Sequence, residues 1–190
     1  MEGSYRSKEQ KRWYDARFSG GLADSELEDF LRGPGSDWLL KLAVLKEDGW
    51  PFVTPLWYVW DGEAFWLVGR KRSEWVQDLL REPRCAICIE EKELPPAGGN
   101  RKVIGQCTAE VVEGPVTAEG SQWLPVANEM ALRYAGPAGV EGLKTSYGWP
   151  RYLVKLTPRD GKLTTWQGVD WHRKYFAPGE RPELDEAAAR

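Results

Sequence analysis

The pattern of apolar and polar positions changes character several times along this chain, and each change marks an element. From Asp37 the run WLLKLAVLK reads as a strand, Glu47-Asp48-Gly49 as a turn, and PFVTPLWYVW as the returning arm of a hairpin. A tight Asp61-Gly62 turn opens DGEAFWLV, a third strand. The period then lengthens: Trp75, Val76, Leu79 and Leu80 form one stripe of a helix from Ser73 to about Arg81, which ends before Pro83. CAICIEE is a fourth strand, the Pro- and Gly-rich KELPPAGGN a mobile loop, and KVIGQCTAEVVEG a long fifth strand. RYLVKLTP and GKLTTWQG supply two late strands.

Helical segments flank this β core. Residues 1–35 form a helical preface, in which Asp24-Ser25 cap a helix carrying Leu27, Phe30 and Leu31 on one face and Gly33-Pro34 stop it. Residues 117–148 read as a helical insertion, interrupted around Pro125 and Gly136-Pro137, and 177–190 as an acidic, alanine-rich tail. No internal repeat is present, and 190 residues fit a single domain. Several strands with few helices between them favour a mostly β, antiparallel barrel over a parallel sheet.

The strand Phe52–Trp60 is apolar on both faces, Phe52/Thr54/Leu56/Tyr58/Trp60 and Val53/Pro55/Trp57/Val59. A barrel strand solvated outside alternates apolar with polar. A second subunit is therefore expected over the outer face, making a homodimer. Pro55 also removes a ladder donor in mid-strand, which marks an edge, a bulge or a ligand contact.

Composition narrows the function classes. A formal net charge of −3 argues against a nucleic-acid binder, whose affinity rests on neutralising phosphates. No apolar run approaches membrane-spanning length, and the polar opening MEGSYRSKEQKRWYD is no signal peptide. Three cysteines imply no disulfide framework and suit a reducing cytoplasm. Cys85 and Cys88 have C-x-x-C spacing, but in a strand they face opposite sides, so no metal or redox site is expected there. His172 is the one histidine, which leaves a haem or zinc site short of its usual ligands. Eleven tryptophans suit a large core and interface, or a planar aromatic ligand.

The candidate chemistry lies between the third strand and its helix. Arg70, Lys71 and Arg72 lead straight into Ser73 at the helix start. A helix N-terminus offers free N–H groups and a positive dipole end, a serine adds a hydroxyl, and an arginine grips two phosphate oxygens in a planar fork. On charge alone the run also reads as a solvated loop. Its place between an aromatic strand pair and a helix points to an anionic group held beside an apolar wall.

The stretch VTPLWYVWDGEAFWLVGRKRSEWVQDLLREPRCAICIEE resembles the pyridoxamine 5′-phosphate oxidase-like, flavin-binding split-barrel superfamily in the order and spacing of its parts. GQCTAEVVEG and TTWQGVDWHRKY resemble later strands of that family, so that the likeness covers about residues 37–113 and 150–176. It implies a six-stranded antiparallel split β-barrel with flanking helices, and a homodimer binding FMN between its subunits. By position, the backbone around Thr54, Pro55, Leu56 and Trp57 would border the flavin ring. Gly69, Arg70, Lys71, Arg72 and Ser73 would surround the phosphate, and Trp166 would approach from the partner subunit.

The chain departs from the family twice. The usual Ser-x-Lys is Ser73-Glu74-Trp75 here, which removes a phosphate lysine and leaves a deazaflavin coenzyme as the alternative to FMN. True pyridoxamine phosphate oxidases follow WQG with an Arg-x-His pair, whereas WQGVDWHR places Asp170 two before His172. The reading is an FMN-dependent oxidoreductase on an unidentified small molecule, with no catalytic side chain assigned. A flavin-binding protein without turnover is the other alternative.

Overall fold

The computed structural model describes residues 22–33, 37–91 and 101–166. Residues 1–21, the loop KELPPAGGN, His172 and the acidic tail lie outside the described residues. The elements are α1 (Asp24–Arg32), β1 (Leu40–Leu45), β2 (Pro51–Leu56), β3 (Val59–Trp60), β4 (Phe65–Arg70), α2 (Glu74–Arg81) and β5 (Arg84–Glu90). They continue with β6 (Lys102–Val116), α3 (Trp123–Lys144), β7 (Arg151–Pro158), a 3-10 turn (Arg159–Gly161) and β8 (Thr164–Trp166).

The strands form one sheet of eight, ordered β2-β1-β5-β6-β7-β4-β3, with β8 on the Lys102 end of β6. Every pairing is antiparallel. The fold is therefore the expected antiparallel split barrel, with eight strands rather than six. Part of the difference arises inside PFVTPLWYVW, expected as one strand. Its first half pairs with β1 and ends at Leu56↔Leu40, while Val59-Trp60 pairs with β4 at the opposite edge. Those two edges are joined through Trp57 and Tyr58 alone, so the sheet curls until they meet. Tyr58 turns inward, fully buried, and its hydroxyl donates to the Leu31 carbonyl at 3.1 Å.

The turns follow local chemistry. Gly49 and Gly62 adopt φ of 84° and 104°, as the two hairpin turns require. The Asp61 carboxylate accepts from the Glu63 and Ala64 backbone N–H groups, both at 2.8 Å. Helix α1 carries its Phe30 and Leu31 stripe inward as expected, but Asp24-Ser25 do not cap it. Ala23 is the N-cap residue, and Glu26 reaches back to accept from its N–H at 2.8 Å.

Helix α2 seats Trp75, Val76 and Leu79 on the barrel, whereas Leu80 is 53% exposed. Asp78 takes the inward place instead, with Arg81 3.2 Å from its carboxylate.

Helix α3 fills the expected insertion differently from the sequence reading. Pro125 sits in the first turn, where no intrahelical N–H bond is lost, and causes no break. The kink is at Gly136, with φ 65° and ψ −165°, just before Pro137. Around the helix start, Trp123, Ala118, Ala127 and Leu153 form a second buried cluster with Trp66, Val68, Val112, Leu143 and Tyr147.

Candidate functional site

Five elements converge on one cavity of about 510 Å³: the end of β2 with Trp57 after it, β4, α2 through Trp75, α3 with the segment after it, and the start of β7. This is an ordinary size for a small-molecule site. The walls are apolar and aromatic, including Trp75, Met130 and Leu143, and the charged groups are Arg70 and Arg151. Among the described residues, no acidic side chain lines it. Two other clefts are larger, about 650 and 590 Å³. In the first, Arg84 is already bonded to Glu82 at 2.6 Å and Arg159 to Gln106 at 3.1 Å. The second carries Asp24, Glu28 and Glu63. Chemistry rather than volume therefore singles out the cavity under α3.

The long helix is fixed over the barrel by specific contacts. Glu113 lies where the β6–β7 register shifts, and its carboxylate accepts from the N–H groups of Gln122 and Trp123 at 2.9 and 3.0 Å. An anion there satisfies helix donors and complements the dipole. Farther along, Arg133 donates to the Leu31 carbonyl at 2.5 Å and stands over the Tyr58 ring at 4.7 Å. Tyr134 donates to the Trp38 carbonyl at 2.9 Å and stacks on Trp57, with centroids 5.1 Å apart and planes 3° from parallel. Burial pushes the Tyr58 hydroxyl up to about 12 and raises Tyr134 too, so both remain neutral donors at neutral pH.

At the cationic end, Arg70 on β4 is register-paired with Arg151 on β7. Arg70 is exposed, and its guanidinium stands over Trp149 at 5.8 Å. Arg151 is only 9% exposed. Its Nη2 donates to Ser146 Oγ at 2.7 Å, its guanidinium stands 5.3 Å from the Trp123 ring, and its Nε–H meets no acceptor among the described residues. Burial, with Arg70 alongside, pulls its affinity for the proton below the usual arginine range.

Of the residues read from the sequence, Pro55, Leu56, Trp57 and Arg70 line the cavity. Thr54 is opposite Leu42 on the β1 side and does not line it. Gly69 is buried against α2: a Cβ there would lie 2.4 Å from Val76 Cγ2 and 3.0 Å from Trp75 Cζ2. Its bareness serves helix packing. Lys71 and Arg72 form an exposed turn, with the Lys71 N–H donating to the Pro150 carbonyl at 3.0 Å. Ser73 occupies the N-cap position without a side-chain cap bond, and its Oγ accepts from the Arg70 N–H at 3.1 Å. Trp166 lies on β8 opposite Lys102, at the other end of β6 from Val116, which pairs with Arg151. Arg151, Ser146, Trp149 and the α3 wall are the lining residues that sequence reasoning missed.

The cysteines lie elsewhere. Cys85 is buried and faces Cys107 across β5–β6, while Cys88 is on the other side of β5. Burial pushes both the Cys85 and Cys107 thiols up to about 12. Among the described residues, no group of three His, Cys, Asp or Glu side chains gathers as metal ligands. Nor is any described helix long and apolar enough to cross a membrane.

Known proteins place the fold. The profile described as pyridoxamine 5′-phosphate oxidase matches residues 23–149. The chain belongs to that family. Among solved structures, a conserved hypothetical protein from Mycobacterium tuberculosis is 25% identical, with a TM-score of 0.63 over 90% of this chain and 98% of that one. The haem storage protein HutZ from Vibrio cholerae is 21% identical, with a TM-score of 0.52 over 73% and 91% of the two chains. An F420 reductase is 19% identical, with a TM-score of 0.50 over 72% and 94%. The last two likenesses concern the fold alone, and their names point to different ligands. No curated protein matches the sequence. The family match ends two residues before Arg151, so this arginine is a feature of the chain outside the shared span.

Proposed function

We propose that this protein is a flavin-dependent oxidoreductase that binds FMN in the cavity under α3 and acts on a small molecule. One observation carries the reading: a cavity of about 510 Å³ with aromatic and aliphatic walls, two arginines and, among the described residues, no acid. Such a lining suits a planar ring system bearing an anionic tail. Pro55, Leu56 and Trp57 would border the ring, and Arg70, with the turn through Lys71, Arg72 and Ser73, would hold the phosphate end. The flavin supplies hydride or electron transfer, and the protein supplies binding, orientation and shelter from water. The neutral Tyr58, buried, and Tyr134, half-buried, brace the wall rather than exchange protons.

A homodimer belongs to the same proposal. Along the β2 edge and its link, Val53 is 60% and Trp57 43% exposed, beside exposed Pro55. An apolar strand edge left open in this way invites pairing with a second chain. Trp166 would then reach the cavity from the partner. Val53→Glu is expected to convert a dimer to a monomer in light scattering. A wild-type monomer at micromolar concentration would remove the dimer from the proposal. The free thiols fit a reducing compartment, and we place the protein in the cytoplasm.

The absorption spectrum of the purified protein tests the cofactor directly. A yellow protein, or one whose melting temperature rises with added FMN, supports the assignment. A colourless protein indifferent to FMN refutes it. Arg70→Ala is expected to weaken FMN binding by about 1.5–3 kcal/mol, the range of one charge-assisted hydrogen bond. Fluorescence quenching with FMN and a deazaflavin side by side decides between the two, and preference for the deazaflavin sinks FMN. Anaerobic photoreduction followed by an oxidant screen separates an enzyme, which is reoxidised selectively, from a passive binder.

A further inference from the structure

We infer that Arg151, paired with Arg70, forms a phosphate-monoester subsite at the β7 end of the cavity and is the principal grip on the cofactor's anionic end. The inference rests on reading the cavity as the flavin site, and it adds a residue outside the family match. Three observations carry it. First, Arg70 and Arg151 are directly opposite in the β4–β7 register, and like charges so placed repel. Neither has a carboxylate partner among the described residues, and no lining residue is acidic. An anion bound between them removes that repulsion.

Second, Arg151 is 9% exposed, and its Nε–H, itself buried, has no acceptor among the described residues. A buried, unmatched guanidinium is costly in a protein interior unless a ligand completes it. Third, the side chain is held ready. Ser146 donates its own proton to the Leu143 carbonyl at 2.9 Å, which leaves its oxygen to accept from Arg151 Nη2 at 2.7 Å. The Trp123 ring, 5.3 Å away, supports the guanidinium from another side. With Nη2 engaged by Ser146, the remaining guanidinium N–H groups are left for phosphate oxygens. Lys71 and Arg72, exposed in the turn, have no comparable support.

Paired titrations of FMN and riboflavin test the subsite, because the two ligands differ only in the phosphate. In wild-type protein FMN is expected to bind more tightly. Arg151→Gln should weaken FMN roughly 10- to 100-fold while riboflavin moves less than about 3-fold. Arg151→Lys, which keeps the charge without the fork, should fall between and guards against a folding defect. Equal weakening of both flavins, or no change in either, overturns the proposal. Inorganic phosphate gives an arm that does not depend on flavin. It should raise the wild-type melting temperature above that in chloride at equal ionic strength, and should not do so in Arg151→Gln. Absence of that phosphate-specific shift overturns the subsite. If the shift appears and neither flavin binds, the flavin reading fails while the anion site stands. If phosphate still protects FMN-loaded protein, the anion gripped is a substrate's, and assignment to the cofactor is overturned.

Discussion

Trp123→Ala is expected to lower the unfolding free energy by about 3–5 kcal/mol, the usual cost of emptying a fully buried aromatic site. Trp123 has no exposed surface, and its indole N–H donates to the Val116 carbonyl at 3.0 Å. The truncation therefore leaves a cavity and also strips the Val116 carbonyl of its donor, which adds on the order of 1 kcal/mol. The loss is large beside a total stability of roughly 5–15 kcal/mol. In a domain of this size it should lower the melting temperature by about 10 °C or more. Trp123→Phe keeps most of the ring and should cost less than half as much. The substitution also reaches the site, because the indole stands 5.3 Å from the Arg151 guanidinium and begins the helix that roofs the cavity. Urea unfolding decides the matter: a change below about 1 kcal/mol would mean that α3 does not depend on this anchor.

Gly114→Ala is the second large effect, expected at about 2–5 kcal/mol from backbone strain and overpacking together. Gly114 has φ of 117°, outside the range that side chains accept readily. A Cβ there would lie 2.4 Å from the Arg151 carbonyl oxygen and 2.8 Å from Tyr152 Cα. Both are backbone atoms of the adjacent strand, so no rotamer change relieves the clash. β6 and β7 must separate where Arg151 enters the cavity, and FMN affinity should fall together with stability. Gly120→Ala is the control, with φ of 69° but nothing within 4 Å of the new methyl, so it carries the strain without the clash. It should cost about 1 kcal/mol and leave the ligand site unchanged. Equal destabilisation by the two substitutions would show that the close approach of β6 to β7 has no special weight.

Much of the barrel was legible because its signals are local. The Gly49 and Gly62 turns needed positive φ, and runs such as CAICIEE kept period two with Cys85, Ile87 and Ile89 inward. The helix before Pro83 was readable for the same reason, except that Leu80 faces solvent while Asp78 turns in. A period of 3.6 does not say where a stripe ends, and a long-range neighbour such as the barrel wall decides it. Pro55 did mark an edge strand, as its missing donor suggests, but the division of 51–60 between opposite edges followed from closure of the sheet. Of the phosphate corner, Arg70 alone reaches the cavity. Gly69 and Ser73 are used within the fold, one to admit α2 and the other to hold the Arg70 backbone.

From its residues alone the chain specified an antiparallel barrel, its hairpins and the aromatic and cationic composition of a site, because turn chemistry and side-chain alternation act over a few neighbours. The opposition of Arg151 to Arg70, the carboxylate of Glu113 at the head of α3 and the roof that α3 makes were settled by contacts between separate elements, beyond the reach of turn chemistry and alternation. An arginine opening the strand RYLVKLTP looks in sequence like a solvated strand end. Trp123 and Ser146 packing over it turn it into a buried cation with a donor to spare.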